Sequence, residues 1–417
     1  LNPIIFDTVK SYGDRAGNLY THPFVNAHVD EGRSFVSRSD EKFDIIYIPF
    51  VDTWASVSSG GLGVSENFLY TIEGFQEYYD HLEDDGKIIA VRWLIDSPRF
   101  VTTFAELLQQ NGFATTDLQK HLIIVSSDSV ETDPSVTMTI FSKSPFTDDE
   151  VQYMYDSITK NGYKPILVPS LVALEPYPAY LNGEISNEEF YPLFTTKIHP
   201  VTDDNPFFLS FEKPIPTIVV VLVYVSLIIV AAFVLVPLIW IRKESTEKTD
   251  LKTWGVVLYF SSLGMGFILI ELALLQKFIL LLGNPTTTFA ILLFTILIAS
   301  GIGSQISTRL VQRNTRNLLF IIAGVLVVGI LYVVALPEVI YSIIAEEFEI
   351  KAIISVGLLF PIGLLMGMPL PTVMRLLKSH KPTHVPWMWA INGSFSVLGA
   401  VLSVALGILY GSSYAMI

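Results

Sequence analysis

The sequence predicts an open α/β sheet domain followed by an all-α membrane domain that crosses the bilayer several times. Three observations support this fold class. Between residues 28 and 75, apolar segments with acidic tips alternate with helix starts, which is the repeat of an open α/β sheet. The 417-residue chain is 51% hydrophobic and has a mean hydropathy of +0.50, which is high for a soluble protein. Long apolar runs then follow residue 214.

The two halves of the chain differ in charge. Residues 1–214 carry 14 Lys/Arg against 32 Asp/Glu, a net of −18, whereas residues 215–417 carry 12 against 8, a net of +4. An acidic domain repels phosphate backbones, so this composition disfavours nucleic-acid binding. The chain contains no cysteine, which excludes disulfides, thiolate zinc sites and a cysteine nucleophile, and we expect no metal site.

Apolar periodicity and turn residues predict the elements of the acidic half. We expect strands at 25–29, 43–50 and 87–93, helices at 68–82, 98–110 and 147–161, and an antiparallel edge pair of strands at 121–126 and 136–142. Gly86 is expected to end the helix at 68–82 in a left-handed conformation. Residues 163–213 read as Pro- and aromatic-rich loop, so that 1–145 forms the domain and 146–213 a helix with a connecting segment.

Six apolar runs predict a helical membrane domain at 215–417. They lie at about 215–241, 254–282, 286–310, 318–336, 351–376 and 387–411. Each is long enough to cross a hydrocarbon core of about 30 Å, for which about 20 helical residues suffice. Small residues at Gly363 and Gly367, and at Ala299 and Gly303, have the spacing of close helix contacts.

The basic residues between these runs predict the orientation of the membrane domain. Ten lie on one side, in the loops at 242–253, 309–317 and 375–386, and two, Lys213 and Lys351, lie on the other side. By the positive-inside rule the first side is cytoplasmic. We therefore expect a multi-pass protein of the plasma (inner) membrane with an extracytoplasmic acidic domain.

Several motifs recur in one known combination: Asn2-Pro3, Asp30-Glu31-Gly32-Arg33, the Thr-Asp-Asp-Asn-Pro-Phe-Phe run at 202–208, and the membrane segments at 264–277, 282–285, 299–304 and 389–394. Together they resemble the spermidine synthase (polyamine aminopropyltransferase) family, in particular its bacterial branch fused to multi-pass membrane helices. The resemblance implies a Rossmann-like domain of the class I methyltransferase and spermidine synthase type. It also implies that the chain enters this fold halfway, with the glycine-rich cofactor loop upstream of Leu1.

The resemblance implies a cofactor contact at Asp30, Glu31 and Gly32. In the family an acid before glycine at this strand end contacts the adenine edge, and glycine lets the backbone approach closely. The matching acid is Glu31. The alternative from the residues themselves is a solvated loop acid with Arg33 as its surface partner. The cofactor itself is unknown; an active enzyme of this family would use S-adenosylmethionine or its decarboxylated form.

The next strand tip is where the family places an Asp-x-x-Asp pair that binds and deprotonates the attacking amine. Here Pro49 occupies the first position, and the second is Asp52. Proline cannot accept a proton, so Asp52 alone remains as the catalytic candidate; it can also be a displaced loop acid. On the substrate side, Tyr70 and Glu73 are able to cradle an amine, or the segment from Thr71 to Glu73 caps a helix start.

Two polar residues lie inside the predicted spans, Glu271 and Asn392. An intramembrane carboxyl usually faces protein or a polar cavity. Glu271 is therefore either part of a transport or relay path, or the partner of Asn392 or of a Ser/Thr hydroxyl on a neighbouring helix.

From these observations we expect a catalytically degenerate spermidine-synthase-like domain on membrane helices, which acts as a binding, scaffold or accessory subunit. Its partners are the lipid bilayer and other proteins of a membrane assembly. One alternative is an active aminopropyl- or methyltransferase that acts on an amine or a membrane-associated substrate. A third alternative is a transporter.

Overall fold

The structure is a computed structural model that describes residues 3–51, 64–127, 135–244, 251–313 and 317–416. The chain divides by its internal contacts into two compact units, Leu1–Pro216 and Thr217–Ile417. We call them the sheet unit and the helical unit. The first contains a mixed sheet with helices, and the second contains helices long and apolar enough to cross a membrane.

A six-stranded mixed sheet lies at the centre of the sheet unit. Its strands are β1 (Phe43–Ile48), β2 (Leu82–Trp93), β3 (Leu122–Ser126), β4 (Val136–Ser142), β5 (Lys164–Val168) and β6 (Val172–Ala173). Their order across the sheet is β1-β2-β4-β3-β5-β6. Among these described strands, β1 and β2 are parallel and every other neighbouring pair is antiparallel.

Eight α-helices surround this sheet in the described part of the unit. They are α1 (Pro3–Tyr12), α2 (Gly32–Arg38), α3 (Ile72–Asp80), α4 (Ser97–Gln110), α5 (Leu118–His121), α6 (Asp148–Lys160), α7 (Tyr177–Leu181) and α8 (Asn187–Phe190). α3 lies in the crossover between β1 and β2, which a parallel pair of strands requires.

Local capping explains where the longer helices begin and end. The hydroxyl of Thr71 accepts a hydrogen bond from the amide of Gly74 at the start of α3 (3.1 Å). At the start of α6, Thr147 and Glu150 form a reciprocal capping box, as the sequence Thr-x-x-Glu predicts. α4 is followed by Gly112 at φ +85°, a conformation that favours glycine.

The sheet buries a different apolar layer on each face, because successive strand side chains point to opposite sides. One layer includes Ile88 and Ile124 of the strands and Phe75, Phe100 and Phe104 of α3 and α4. The layer on the other face packs against α6; its members include Ile123, Val125, Ile140, Val151 and Ile158. Both faces of the central strands are therefore covered.

Two sequence predictions at the start of the sheet unit are wrong. Residues 25–29 are not a strand, and the residues from Gly32 to Arg38 that follow them form helix α2. Helix α3 ends at Asp80, and β2 already begins at Leu82, so that Gly86 lies inside a strand rather than at a left-handed cap. A Cβ atom at Gly86 would lie 2.8 Å from the carbonyl oxygen of Phe43, so close strand approach is the reason for this glycine.

Two further corrections concern the sheet and the segment after it. The strands β3 and β4 do pair antiparallel, but they lie inside the sheet rather than at its edge. Residues 163–213, expected to be loop, contain β5, β6, α7 and α8. The strand β5 extends the sheet from β3, and such a short apolar run gives too weak a periodic signal among prolines to be recognised.

Seven helices make up the described part of the helical unit. They are α9 (Thr217–Glu244), α10 (Leu251–Leu282), α11 (Pro285–Arg313), α12 (Asn317–Ile343), α13 (Phe348–Met366), α14 (Pro369–His380) and α15 (Val385–Tyr410). Together they provide six stretches that are long and apolar enough to cross a membrane, and these overlap the six predicted runs. The fifth is divided between α13 and α14 at Gly367 and Met368, and Pro369 begins the second half.

The small residues of the helical unit lie where helices approach closely, as expected. A Cβ atom at Gly363 would lie 3.1 Å from the Cβ atom of Ala299. A Cβ atom at Gly303 would overlap the carbonyl oxygen of Leu364, and one at Gly367 would overlap the backbone of Ser300. The hydroxyl of Ser300 donates to the carbonyl oxygen of Gly363 (3.0 Å). α11 and α13 therefore pack backbone against backbone.

Candidate functional site

A buried arginine joins three segments of the sheet unit. Arg33, in the first turn of α2, is 1% exposed. Its Nη1 and Nη2 atoms donate to the two carboxylate oxygens of Asp203 at 2.7 and 2.9 Å. Its Nε and Nη2 atoms donate to Oε1 of Glu77 in α3 at 2.9 and 2.6 Å. One guanidinium thus bridges two carboxylates, with the bidentate geometry that makes arginine pairs strong.

Residues 201–206, which we call the strap, run across the start of α3. The amide of Ile72 donates to the carbonyl oxygen of Val201 (2.9 Å), and the amide of Asn67 donates to that of Pro206 (2.8 Å). These two hydrogen bonds hold both ends of the strap, and Asp203 lies between them. The ion pair with Arg33 therefore fixes the middle of a segment whose ends are already attached.

Two further side chains of α3 and its cap hold Asp203. The hydroxyl of Thr71 donates to Oδ1 of Asp203 (2.7 Å). The carboxylate of Glu73 accepts a hydrogen bond from the backbone amide of Asp203 (3.0 Å). Burial lowers the pKa of Arg33, but the charges and hydrogen bonds of Asp203 and Glu77 outweigh that effect and raise its pKa above the ordinary value. The arginine is therefore permanently charged in this cluster.

The surroundings of Glu73 shift its pKa upward. Burial, followed by the negative charge of Asp203, raises its pKa to about 7 from an ordinary value of 4.5. Other charged groups around it are Arg33, which favours the ionised form of Glu73, and Glu77, which shares the guanidinium. Glu73 therefore changes charge close to neutral pH.

We expect the strap to loosen as the pH rises from about 5 to 8. Between pH 4.5 and 7 the folded state retains a proton on Glu73 that the unfolded state has released, so stability falls as pH rises through this range. Hydrogen exchange of the amides at 201–206, corrected for intrinsic rates, should be less protected at pH 8 than at pH 6. Glu73→Gln should remove this difference. Equal protection of the wild-type strap at both pH values would contradict the assignment.

Tyr70, predicted on the substrate side, lies in the core. It is fully buried, and its ring is 4.5 Å from that of Phe208 and 5.8 Å from that of Phe100. The guanidinium of Arg92 lies 5.1 Å from the Tyr70 ring and donates to its hydroxyl (3.4 Å). Arg92 in turn pairs with the buried Asp96 (2.8 Å). Tyr70 is thus enclosed by side chains of the sheet unit.

The three residues predicted to hold a cofactor form the start of α2. Glu31 is the N-cap residue: its two carboxylate oxygens accept hydrogen bonds from the amides of Arg33 (3.1 Å) and Ser34 (2.8 Å). Gly32 is the first helical residue. Asp30 accepts a hydrogen bond from the amide of Glu31 (2.8 Å) and pairs with Arg38. The expectation that Arg33 is a surface partner of Glu31 is wrong, because Arg33 is buried against Asp203 and Glu77.

The predicted catalytic strand tip is described only in part. Pro49 follows β1 and is exposed, and the ring of Phe50 lies 4.9 Å from that of Trp93 at the end of β2. The two strand ends therefore meet at one edge of the sheet, where ligands bind in open α/β sheets. Asp52 lies outside the described residues, so its role stays a prediction.

The intramembrane candidates are not brought together as a pair. Asn392 of α15 donates to the carbonyl oxygen of Phe260 in α10 (3.2 Å), and its backbone packs against Gly264. Within the described residues, Glu271 of α10 has neither a hydrogen bond nor an ion pair. Asn392 therefore acts in helix packing, and the expected hydrogen bond between it and Glu271 is not formed.

Sequence reasoning missed the two residues on which this cluster depends. Arg33 was seen only as a surface residue, and Asp203 only as part of a motif, because 170 positions separate them. A signal for Arg33 does exist in the helical interpretation of 32–38, in which Arg33 and Val36 share one buried face. The two adjacent acids at 203 and 204 show no such pattern that would predict burial of Asp203.

Comparison of the chain with protein-family models, with curated proteins and with solved structures returns no match.

Proposed function

We propose that this chain is an accessory subunit of a membrane assembly, in which the sheet unit is a non-catalytic binding or scaffold module. Six apolar helices suggest a membrane protein. The likeness to the spermidine synthase family remains part of the proposal, and it is what makes the absence of a catalytic base at position 49 meaningful.

One observation carries this proposal: the residues at the positions predicted to bind cofactor or substrate make contacts within the sheet unit itself. Both oxygens of Glu31 accept backbone amides of α2. Glu73 holds the strap, and Tyr70 is enclosed in the aromatic core. Each of these contacts accounts for the position of its side chain without a bound amine or nucleoside. These contacts favour a structural role for each residue over a catalytic one.

The edge of the sheet supports the binding part of the proposal. Among the described strands, β1 is an edge strand, and Ile45 and Tyr47 on one of its faces are 56% and 57% exposed. Phe24, in the segment before it, is 93% exposed. Native proteins usually protect an apolar edge strand from other chains by charge, a bulge or a cover. An apolar edge that the described residues leave uncovered therefore favours contact with another polypeptide segment at this position.

The assembly is testable by purification of the full-length protein in a mild detergent. We expect a co-purifying subunit, and we expect Ile45→Thr with Tyr47→Thr to release it, because threonine keeps the strand propensity and removes most of the apolar area. Tyr153→Thr is the matched control, since Tyr153 is 72% exposed on α6 away from this edge. A lone monomer of the full-length wild type would contradict the assembly.

The catalytic part is tested at position 49. We expect the purified full-length protein to form no spermidine from putrescine and decarboxylated S-adenosylmethionine, because loss of a general base typically costs about two to four decades in rate. Robust turnover by the wild type would refute the proposal. Pro49→Asp is the sharper variant: a gain of activity would show that only the base is missing, and the sheet unit would then be a degenerate transferase rather than a pure scaffold.

The orientation follows from the loop charges and is proposed with the function. Cysteines introduced at Gln152 in the sheet unit and at Ser379, the last residue of the fifth apolar stretch, would be the only thiols in this sequence, and both positions are exposed. We expect a membrane-impermeant maleimide to label Gln152→Cys and not Ser379→Cys in intact cells. Labelling of Ser379→Cys alone would show that the orientation is the opposite one, with the sheet unit on the cytoplasmic side of the plasma membrane.

A further inference from the structure

Four basic side chains lie together beside the first turn of α4, in a unit with a net charge of −18. They are Arg99, Lys197, His199 and Lys213, which we call the basic cluster. Nη2 of Arg99 donates to the carbonyl oxygens of Lys197 and of Ser210, the latter at 2.9 Å. The amide of Lys197 donates to the carbonyl oxygen of Phe211 (2.7 Å). The segments at 197–199 and 210–213 therefore run side by side past Arg99.

Arg99 is the buried member of the cluster. It is 1% exposed, and its guanidinium lies 5.5 Å from the ring of Phe208 and 4.9 Å from that of Phe211. Within the described residues, its Nε and Nη1 atoms have no hydrogen-bond partner. Burial lowers its pKa to about 10, so it is charged at neutral pH. A buried cation held by two carbonyl oxygens and two rings keeps much of its field uncompensated.

The other three members are more accessible and are held around Tyr191. The ring of His199 lies 4.2 Å from the Tyr191 ring. Nζ of Lys213 donates to the carbonyl oxygens of Tyr191 (3.3 Å) and Phe194 (2.7 Å). His199 and Lys213 are exposed, and Lys197 is half-buried. Hydrogen bonds to neutral carbonyls fix the position of Lys213 without neutralising its charge.

The four groups are close enough to repel one another. Burial, followed by the charges of Lys197, Arg99 and Lys213, lowers the pKa of His199. Burial, followed by the charge of Arg99, lowers the pKa of Lys197. The acids nearby offset this charge only in part: Asp96 favours the charged form of Arg99 but also forms an ion pair with Arg92, and the charge of Glu106 is felt at Tyr191. Like charges gathered in this way favour the binding of an anion.

We propose that the basic cluster binds a phosphate-type anion and that its usual ligand is the headgroup phosphate of an anionic lipid. Lys213 precedes Thr217, the first residue of the membrane-spanning helix α9, by four positions. Four residues reach about 14 Å at most, so Lys213 lies within that distance of the start of a membrane span. Lys197, His199 and Lys213 contact the phosphate, and Arg99 contributes its charge from behind them.

The test uses the full chain and two probes, phosphatidylglycerol and inorganic phosphate. Native mass spectrometry of the protein extracted from vesicles of phosphatidylglycerol and phosphatidylcholine reports the retained lipid. We expect Lys197→Gln with Lys213→Gln to weaken phosphatidylglycerol retention about fivefold for each lysine removed. The matched control is Lys160→Gln with Lys164→Gln, which removes two exposed lysines from the same unit.

The second probe separates the two sources of phosphate. In a neutral detergent, sodium phosphate at the ionic strength of a sodium chloride reference should raise the thermal midpoint of the wild type and of the control, but not that of the cluster variant. Stabilisation by phosphate without a difference in lipid retention assigns the site to a free phosphate. If the cluster variant and the control behave alike with both probes, the cluster does not bind anions and the proposal fails.

Lys213 donates to two carbonyl oxygens, so replacing it removes structural hydrogen bonds as well as a charge. A second variant separates these two effects. The variant Lys197→Gln with His199→Gln leaves Lys213 in place. Its circular dichroism and unfolding midpoint in chloride should match those of the wild type, while its response to phosphate is reduced. An unchanged response in this folded variant would equally overturn the proposal.

Discussion

Replacing Arg33 with methionine should lower the free energy of unfolding of the sheet unit by about 3–5 kcal/mol, the usual cost of removing one partner from a buried ion pair. Methionine fills a similar volume but leaves the buried Asp203 without its bidentate partner. Glu77, at 21% side-chain exposure, is better able to turn to water. Urea unfolding of the full-length protein in detergent, followed by the circular dichroism of the sheet, measures the change.

Two variants show whether the loss comes from the charge. Arg38 lies on the same helix as Arg33, is partly exposed and pairs with Asp30. Arg38→Met should therefore lower the free energy of unfolding by less than about 1 kcal/mol. Arg33→Met with Asp203→Leu and Glu77→Leu replaces the whole network with apolar side chains, which often restores stability. A change of less than about 1 kcal/mol in the free energy of unfolding for Arg33→Met alone would show that the ion pairs of Arg33 are not what mainly holds the strap in place.

The parts of the fold that depend on local signals were predictable from the sequence. α6 begins with a capping box and has the apolar period of a helix, and the structure places it at Asp148–Lys160, one residue inside each end of the expected range. The six helices that are long and apolar enough to cross a membrane follow from length and hydropathy alone. In both cases the free energy that selects the element comes from neighbouring residues or from the lipid solvent, which the sequence displays directly.

Other parts were not predictable because distant residues decide them. The segment at 82–86 reads as the charged end of a helix, yet it pairs with β1 through Phe43 and Leu82. Residues 25–29 have the apolar alternation of a strand but have no strand neighbour in the described chain. Burial of Arg33 depends on Asp203, and no feature within one element shows that pairing. Long-range pairing thus overrides local propensity at each of these positions.

The candidate site shows the same division. Glu31 is predicted as a cofactor contact at a strand end, yet in the structure it is the N-cap residue of α2. The segment from Thr71 to Glu73 does begin a helix, as the capping alternative predicts. In the structure, the hydrogen bonds that the carboxylates of Glu31 and Glu73 accept stabilise the sheet unit itself. Phe208 lies two residues beyond the strap, and its ring lies 4.5 Å from that of Tyr70 and 5.5 Å from the guanidinium of Arg99. A variant that releases the strap should therefore also disturb the basic cluster.

The second large effect is expected in the helical unit, where Gly303→Ala should lower stability by about 1–3 kcal/mol, the usual cost of overpacking. The added methyl group would overlap the carbonyl oxygen of Leu364, a backbone atom that cannot turn aside, so α11 and α13 must separate. Lipid tails are as apolar as the helix surfaces, and close packing is therefore a main source of their association. Thermal unfolding of the purified protein in a mild detergent measures the loss.

Gly301→Ala is the matched control for this change. Gly301 lies in the same helix two residues earlier, and a Cβ atom there would have no other atom within 4 Å. Both substitutions add one methyl group and the same gain in helix propensity, so their difference isolates the contact between α11 and α13. We expect Gly301→Ala to unfold at or above the wild-type midpoint. If Gly303→Ala unfolds together with Gly301→Ala, the two helices do not pack as closely in the membrane as the structure places them.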